Sequence, residues 1–164
     1  MGKVIYIFDN DISTDAIYPG RHMATVLPSE TPQFCFADYT DLNKKLNAKE
    51  YPTGSVIIGG NNFGCGSSRE QAASTILGHG LVVIAKDFAR IFLQNAINLG
   101  LNLITCPEIE ADLDDEIEIK GDKVLNKTKG KEFSTIPLPA ARLAIVEAGG
   151  LVAYTRKKVI EKYT

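Results

Sequence analysis

Three short apolar runs alternate with two helical segments in the middle of this chain. The runs Ser55–Ile58, Leu81–Ala85 and Leu101–Thr105 have the length and the β-branched content of buried strands. A first helix follows a glycine-rich stretch, and a second, Asp87–Leu99, has an apolar face and ends at Gly100. Because strands that alternate with helices are joined by crossovers, this order predicts an α/β fold with parallel strands covered by helices.

The N-terminal third adds one strand and one long loop. Val4–Phe8 is β-branched and aromatic, which predicts a strand that ends at a polar turn. Ile12–Pro32 contains three prolines and predicts an irregular loop, a kind of segment that often carries function. Phe34–Leu46 has weak helical periodicity, and we expect a helix there.

The C-terminal third predicts a hairpin followed by helices. Ile117–Ile119 and Lys123–Leu125 are separated by a Gly-Asp turn, which favours a β-hairpin. Ala140–Ala148 predicts a helix that breaks at Gly149-Gly150 and resumes to Tyr163. The sequence thus predicts a mixed sheet with flanking helices and a hairpin. At 164 residues, we expect one domain that covers residues 1–164.

Composition excludes several classes of partner. The chain has 45% hydrophobic and 23% charged residues and a net charge of -2, without a basic block. This predicts a folded globular protein that does not bind nucleic acid. No apolar run approaches the roughly 20 residues that span a bilayer, and the N-terminus lacks a signal-peptide pattern. We therefore expect a cytoplasmic protein without a membrane partner.

The cysteines do not predict a metal site. Cys35, Cys65 and Cys106 are widely spaced, with neither a CxxC pair nor a nearby histidine. Such spacing favours neither a disulfide nor a zinc site. An iron–sulfur cluster needs closely grouped thiolates, so we do not expect this chain to bind one itself.

A glycine-rich segment, residues 59–71, joins the strand at Ser55–Ile58 to the first helix. Glycines let the backbone approach a ligand closely, and the first N–H groups of a helix attract anions. The segment lacks both GxGxxG and the Gly-Lys-Ser/Thr triplet of phosphate-binding motifs. It therefore predicts a carboxylate site, in which the ligand would compensate the charge of Arg69 at the positive end of the helix.

Two serines of this segment allow a second interpretation. Ser67 precedes Glu70 by three residues and Ser68 precedes Gln71 by three, which gives two overlapping capping-box patterns. In that interpretation both serines only cap the helix, and Arg69 is a surface residue. The residue chemistry alone leaves both interpretations open.

Four stretches in order resemble motifs of the aconitase superfamily. Gly64–Ala72 closely resembles the Gly-x-Gly-Ser-Ser-Arg-Glu motif in the swivelling domain of these enzymes. The other stretches resemble the small subunits of isopropylmalate isomerases and homoaconitases: Asp11–Arg21, Phe88–Phe92 with Asn95–Leu101, and Glu147–Leu151. These matches span nearly the whole chain. The chain is identified as a member of this family, with a single swivelling domain of the short small-subunit type.

The resemblance implies a two-subunit hydro-lyase. It implies a separate large subunit with a [4Fe-4S] cluster on three cysteines, an active site at the interface, and a small hydroxy dicarboxylic acid as substrate. Ser67 corresponds to the serine that removes the proton α to a carboxylate, and Ser68 and Arg69 correspond to residues that hold this carboxylate. Arg21 would either reach substrate or support its loop. The chain itself would bind no cofactor, would be inactive alone, and could form a homo-oligomer when isolated.

Substrate choice in this family is associated with the loop that here reads His22, Met23, Ala24 and Thr25. Homoaconitase small subunits have an arginine in this loop for the extra carboxylate, and Ala24 occupies the corresponding position. Apolar Met23 and Ala24 favour an alkyl substituent, so we expect interconversion of 2-isopropylmalate and 3-isopropylmalate. His22 is either a solvated loop residue or a substrate contact.

Three alternatives remain. A dehydratase of dimethylmalate or methylmalate would suit the same apolar loop, and homoaconitase activity is less favoured. A carboxylate-binding module that has lost its large subunit is the alternative outside enzymes.

Overall fold

The computed structural model describes residues 1–163, and Thr164, the last residue of the predicted domain, lies outside the described residues. Within residues 1–163 a mixed sheet contains seven strands. These are β1 (Gly2–Ile7), β2 (Val56–Gly59), β3 (Val82–Ala85), β4 (Leu103–Thr105), β5 (Glu116–Lys120), β6 (Lys123–Asn126) and β7 (Lys131–Ser134). Their spatial order is β4-β3-β2-β1-β5-β6-β7.

One half of the sheet is parallel, as the alternation of strands and helices predicts. β1 pairs with β2, β2 with β3, and β3 with β4, all in parallel. The carboxyl ends of these strands therefore meet at one edge of the sheet. In the doubly covered sheets of α/β proteins, ligands bind at this edge.

The other half is antiparallel and begins where β5 pairs with β1. β5 and β6 form the predicted hairpin. β7, which pairs with β6, was not predicted, because Lys131–Ser134 has a single apolar residue, the half-buried Phe133. The predicted fold class, with its mixed sheet, flanking helices and hairpin, is confirmed.

Six α-helices lie within the described residues, and they follow the predicted segments except in the N-terminal third. They are α1 (Thr14–Ile17), α2 (Thr40–Asn47), α3 (Glu70–Gly78), α4 (Arg90–Leu99), α5 (Ala140–Glu147) and α6 (Leu151–Tyr163). α4 ends at Gly100, whose φ of 80° is left-handed, as the cap prediction requires. None of these helices is long and apolar enough to cross a membrane.

The prediction of an irregular loop over Ile12–Pro32 was wrong in part, because this segment contains α1 and a 3₁₀ turn at Gly20–His22. The Ser13 hydroxyl caps α1 by accepting the N–H of Ala16 at 3.0 Å. A helix of one turn lacks a detectable apolar period, so pattern analysis cannot identify it.

The central strand β2 is buried on both faces. Ile57 packs into a core with α3, α4 and the aromatic residues of the N-terminal third. Val56 and Ile58 face a second core, which includes Ile117 and Val124 of the antiparallel half. This alternation follows from the two-residue period of a strand.

Gly64 lets the loop after β2 pack directly on α4. Its φ is +82°, and a Cβ atom at this position would lie 2.2 Å from Cγ of Phe92. Phe92 is 1% exposed and packs in the core, so it has no free space to move into. The first glycine of the Gly-x-Gly pattern, Gly64, is thus required for a close backbone approach to Phe92 that a side chain would block.

We predict that Gly64→Ala lowers the free energy of unfolding by about 3 kcal/mol, because backbone strain adds to a core clash. The matched control is Gly121→Ala, where φ is +57° but no atom lies within 4 Å of the new Cβ. Strain alone there should cost about 1 kcal/mol. Urea unfolding measures both losses, and equal losses would contradict the packing role of Gly64.

Candidate active site

Ser67 and Ser68 lie in the loop that joins β2 to α3, and both are exposed. α3 begins at Glu70, Arg69 occupies its N-cap position, and no side chain makes a capping hydrogen bond. The capping-box prediction is therefore wrong for both serines. The first N–H groups of α3 have no side-chain cap, and such groups favour an anion.

Thr14, the first residue of α1, holds Ser67 outside the helix. The Ser67 N–H donates to Thr14 Oγ1 at 3.1 Å, and the two hydroxyl oxygens are 3.1 Å apart. Thr14 Oγ1 also donates to the Ser67 carbonyl at 3.2 Å. Thr14 is 1% exposed, and its N–H donates to the Cys65 carbonyl at 2.7 Å. These contacts between distant parts of the chain override the local capping pattern.

The Arg69 guanidinium lies against the segment around α1. Its Nη1 donates to Asp15 Oδ1 at 2.6 Å and to the Tyr18 carbonyl at 3.1 Å, and the side chain is 17% exposed. The bond from Arg69, followed by one from the Gly20 N–H, holds the pKa of Asp15 below its ordinary value. Asp15, which bonds to Nη1, thus compensates part of the charge that was predicted to be compensated by a ligand. Nε of Arg69 is buried without a hydrogen-bond partner among residues 1–163.

Asn95 of α4 supports the loop from the other side, where its Nδ2 donates to the Ser68 carbonyl at 3.1 Å. Sequence reasoning did not identify Thr14, Asp15 or Asn95 as parts of the site. Each of them lies in a stretch that resembles the family motifs, and that membership was the available signal. Three of these stretches therefore converge on the two exposed serines.

Tyr18 connects the predicted specificity loop, residues 22–25, to the loop that carries Ser67 and Ser68. The Tyr18 hydroxyl lies 3.1 Å from the carbonyl oxygens of both His22 and Thr25 and can donate to either. The His22 ring stacks on Phe34, with ring centroids 4.0 Å apart and an interplanar angle of 10°. His22 is therefore a packed residue and not a freely solvated one.

The residues after His22 present apolar surface to solvent. Met23 is 49% exposed, Val26 64% and Leu27 53%, and Ala24 is also exposed. Single exposed apolar residues are common, but a contiguous group at the edge of a site is typical of a surface that another molecule covers.

Arg21 forms its own ion pair. Its Nη2 lies 2.6 Å from Asp38 Oδ1, and both side chains are about half exposed, at 53% and 55%. Arg21 also lowers the pKa of Asp15, more weakly than Arg69 does. It therefore lies near the Asp15–Arg69 pair while its direct partner is Asp38.

The described part of the chain does not contain a ligand set for a metal cluster. Among residues 1–163, no three His, Cys, Asp or Glu side chains converge where they could hold a metal ion. Cys35 and Cys106 are buried, and burial raises their thiol pKa to about 12 and about 11. Cys65 is half-buried, with Sγ 3.4 Å from the Asp11 carbonyl. These residues do not fit an iron–sulfur cluster.

Comparisons with known proteins agree on one family. Residues 28–108, which include both serines and Arg69, match the model of the aconitase C-terminal domain. A 3-isopropylmalate dehydratase small subunit of Thermodesulfovibrio yellowstonii is 42% identical over 96% of this chain and 94% of its own length. An isopropylmalate/citramalate isomerase small subunit of Methanocaldococcus jannaschii is 40% identical over 96% of this chain and 94% of its own.

A solved structure agrees with these relatives. The crystal structure of a 3-isopropylmalate dehydratase from Methanocaldococcus jannaschii superposes with a TM-score of 0.88, at 38% identity, over 99% of this chain and 96% of that one. The similarity therefore includes the parallel half, the antiparallel half and both terminal segments. The chain belongs to the aconitase superfamily, in the family of the 3-isopropylmalate dehydratase small subunits.

Proposed function

We propose that this chain is the small subunit of a cytoplasmic hydro-lyase that interconverts 2-isopropylmalate and 3-isopropylmalate in leucine biosynthesis. The observation that carries the proposal is the exposed hydroxyl of Ser67, which lies in the same loop as an arginine already held in place. The near full-length similarity to small subunits supports it. A serine that only capped a helix would be bound to the backbone of that helix, and Ser67 is not.

Ser67 is proposed to remove the proton from the carbon α to a substrate carboxylate. A serine hydroxyl is a very weak acid, so the reaction needs positive charge and hydrogen-bond donors near its oxygen, and water must be excluded. The uncapped start of α3 and the guanidinium of Arg69 supply positive potential. Loss of hydroxide from the neighbouring carbon then gives an unsaturated diacid, and water returning to the other carbon moves the hydroxyl.

Ser68 and Arg69 are proposed to bind the carboxylate beside the reacting carbon, and Arg21 to bind substrate at the edge of the site. Asn95 holds the backbone of Ser68, and Asp15 and the Tyr18 carbonyl hold Nη1 of the Arg69 guanidinium. A fixed guanidinium loses little freedom on binding a carboxylate, which favours a defined substrate position.

The proposed partner is a large subunit that carries a [4Fe-4S] cluster. When bound there, the cluster supplies a Lewis acid for the substrate hydroxyl. The exposed serines and the apolar residues Met23, Val26 and Leu27 are the surface that this subunit would cover. Cover by a second chain would exclude the water that competes for Ser67, so we expect the isolated small subunit to be inactive.

A second candidate is a dehydratase of a methyl-substituted malate. The Methanocaldococcus jannaschii relative is named for isopropylmalate and citramalate together, two acids that differ in their alkyl group. Met23 and Ala24 offer an apolar surface without a cation, which suits either group. A homocitrate substrate is disfavoured because Ala24 stands at the loop position where homoaconitase small subunits have an arginine for the extra carboxylate.

The non-enzymatic alternative is a carboxylate-binding module without a large subunit. A pull-down from the source cell distinguishes it from the enzyme. Recovery of a chain with a cysteine triad supports the proposed heterodimer, whereas substrate binding by the isolated chain without any such companion supports the module.

We predict that Ser67→Ala lowers kcat of the reconstituted complex by about 10³- to 10⁴-fold, because the general base is lost. Assembly with the large subunit and the unfolding temperature should be unchanged, since Ser67 is exposed. The matched variant Ser68→Ala should mainly raise KM, because Ser68 is proposed to bind and not to react. Anaerobic steady-state kinetics on both isopropylmalates measure this, and a near-normal kcat for Ser67→Ala would refute the assigned role.

We predict that Ala24→Arg lowers kcat/KM for isopropylmalate by about 10- to 100-fold and raises it for homocitrate. The new guanidinium is costly beside an alkyl group and can pair with an additional carboxylate. Ala24→Gln is the control, since it adds a flexible polar side chain without charge. Assays on isopropylmalate, dimethylmalate, methylmalate and homocitrate measure the change, and a preference of the unaltered complex for homocitrate would overturn the reading of Ala24.

A further inference from the structure

The hydroxyl of Ser67 has a single side-chain partner among residues 1–163. That partner is the hydroxyl of Thr14, whose oxygen lies 3.1 Å from Ser67 Oγ. Ser67 is exposed, whereas Thr14 is 1% exposed. A group that water cannot reach thus contacts the atom from which the proposed base acts.

The hydrogen-bonding capacity of Thr14 fits two states of Ser67. A hydroxyl carries one proton and two lone pairs. One lone pair accepts the Ser67 N–H at 3.1 Å. While Ser67 is neutral, the Thr14 proton can go to the Ser67 carbonyl 3.2 Å away, and the Ser67 hydroxyl can donate to the second lone pair.

The second state is the alkoxide, which forms when the exposed hydroxyl of Ser67 releases its proton to solvent and which becomes neutral again when it takes the substrate proton. The Thr14 proton then needs only a rotation about the Cβ–Oγ1 bond to point at Ser67 Oγ, and no heavy atom moves. No proton leaves Thr14 in this step, so the threonine stays neutral throughout. The negative oxygen gains a charge-assisted hydrogen bond, which is stronger than the neutral one it replaces.

We propose that Thr14 is a positioning residue that stabilises the deprotonated form of Ser67. This inference rests on the proposed function, in which Ser67 is the base. Thr14 is suited to the role because its place is fixed before substrate arrives. Its N–H donates to the Cys65 carbonyl at 2.7 Å, and its carbonyl accepts the Tyr18 N–H at 2.9 Å. A donor fixed in this way needs no reorganisation during the reaction.

The β-branched side chain of Thr14 also limits the rotamers that its hydroxyl oxygen can adopt. Branching at Cβ restricts χ1, and burial removes the space for other rotamers. Oγ1 therefore stays near Ser67 while the hydroxyl proton alone remains free to turn. Valine has the same shape as threonine without the hydroxyl, and serine keeps the hydroxyl without the methyl group.

The first test compares Thr14→Val with Thr14→Ser in the assembled, cluster-loaded enzyme. Loss of one preorganised donor to a developing negative charge typically lowers kcat by about 10²- to 10³-fold. We expect Thr14→Val to lower kcat by about 100-fold, with KM within about threefold of the parent, and Thr14→Ser to keep kcat within about fivefold. Equal effects of both substitutions would overturn the proposal.

The matched control is Thr75→Val. Thr75 is also fully buried, and its hydroxyl donates to the Thr31 carbonyl at 2.8 Å, without any contact to Ser67. We expect Thr75→Val to lower the unfolding temperature as Thr14→Val does, and to leave kcat within about twofold. If both valine variants lower kcat alike, Thr14 acts through stability alone and the proposal is wrong.

A double-mutant cycle separates this inference from the proposed function. In a Ser67→Ala background, Thr14→Val should change the remaining rate by less than about twofold, because the oxygen it serves is gone. A further 100-fold loss there would overturn the role of Thr14. If Ser67→Ala alone keeps near-normal kcat, the proposed function of Ser67 is wrong. If Ser67→Ala is inactive and Thr14→Val has normal kcat, only the inference about Thr14 is wrong.

Discussion

The contact between Thr14 and Ser67 is the constraint on which the arrangement of the candidate site depends. The two residues are 53 positions apart, and they meet because β1 and β2 are parallel neighbours whose carboxyl ends open at the same edge. The segment after β1 carries Thr14 and Asp15, and the segment after β2 carries Ser67 and Arg69. Each residue of the first pair bonds to one of the second. Parallel pairing therefore turns two separate motifs into a single site.

Much of the fold could be predicted from the sequence, because it follows from local patterns. β2, β3 and β4 are short apolar runs, and Gly100 ends α4 where a left-handed residue is needed. The start of α3 could not be predicted, since a capping box describes only neighbours in sequence. Ser67 is instead held by Thr14, and α3 begins at Glu70 with Arg69 at its N-cap position. In the same way β7 depends on pairing with β6 rather than on its own composition.

Some site residues could likewise be predicted from local sequence, and others could not. The serines and Arg69 could be recognised from their motif, but Asp15 could not be recognised as the partner of Arg69, because ion pairing across loops leaves no local pattern. The sequence allowed two interpretations of His22, a solvated loop residue or a substrate contact. The His22 ring instead stacks on Phe34, so it is neither freely solvated nor free to turn toward a substrate. Arg21 likewise pairs with Asp38 through Nη2, and a guanidinium has further donors beyond the one that this ion pair uses.

The serine loop is held in place by hydrogen bonds but is open to solvent. Within residues 1–163, hydrogen bonds with Thr14, Asn95 and Asp15 hold the Ser67 hydroxyl, the Ser68 carbonyl and the Arg69 guanidinium in place. Exclusion of water is missing, because both serines are exposed. Bulk water would compete with the fixed hydrogen-bond donors for the charge of the proposed Ser67 alkoxide, so these donors would stabilise it less than in a dry site. In the proposed mechanism, a covering subunit would therefore raise the reactivity of Ser67 by removing solvent from the serine loop.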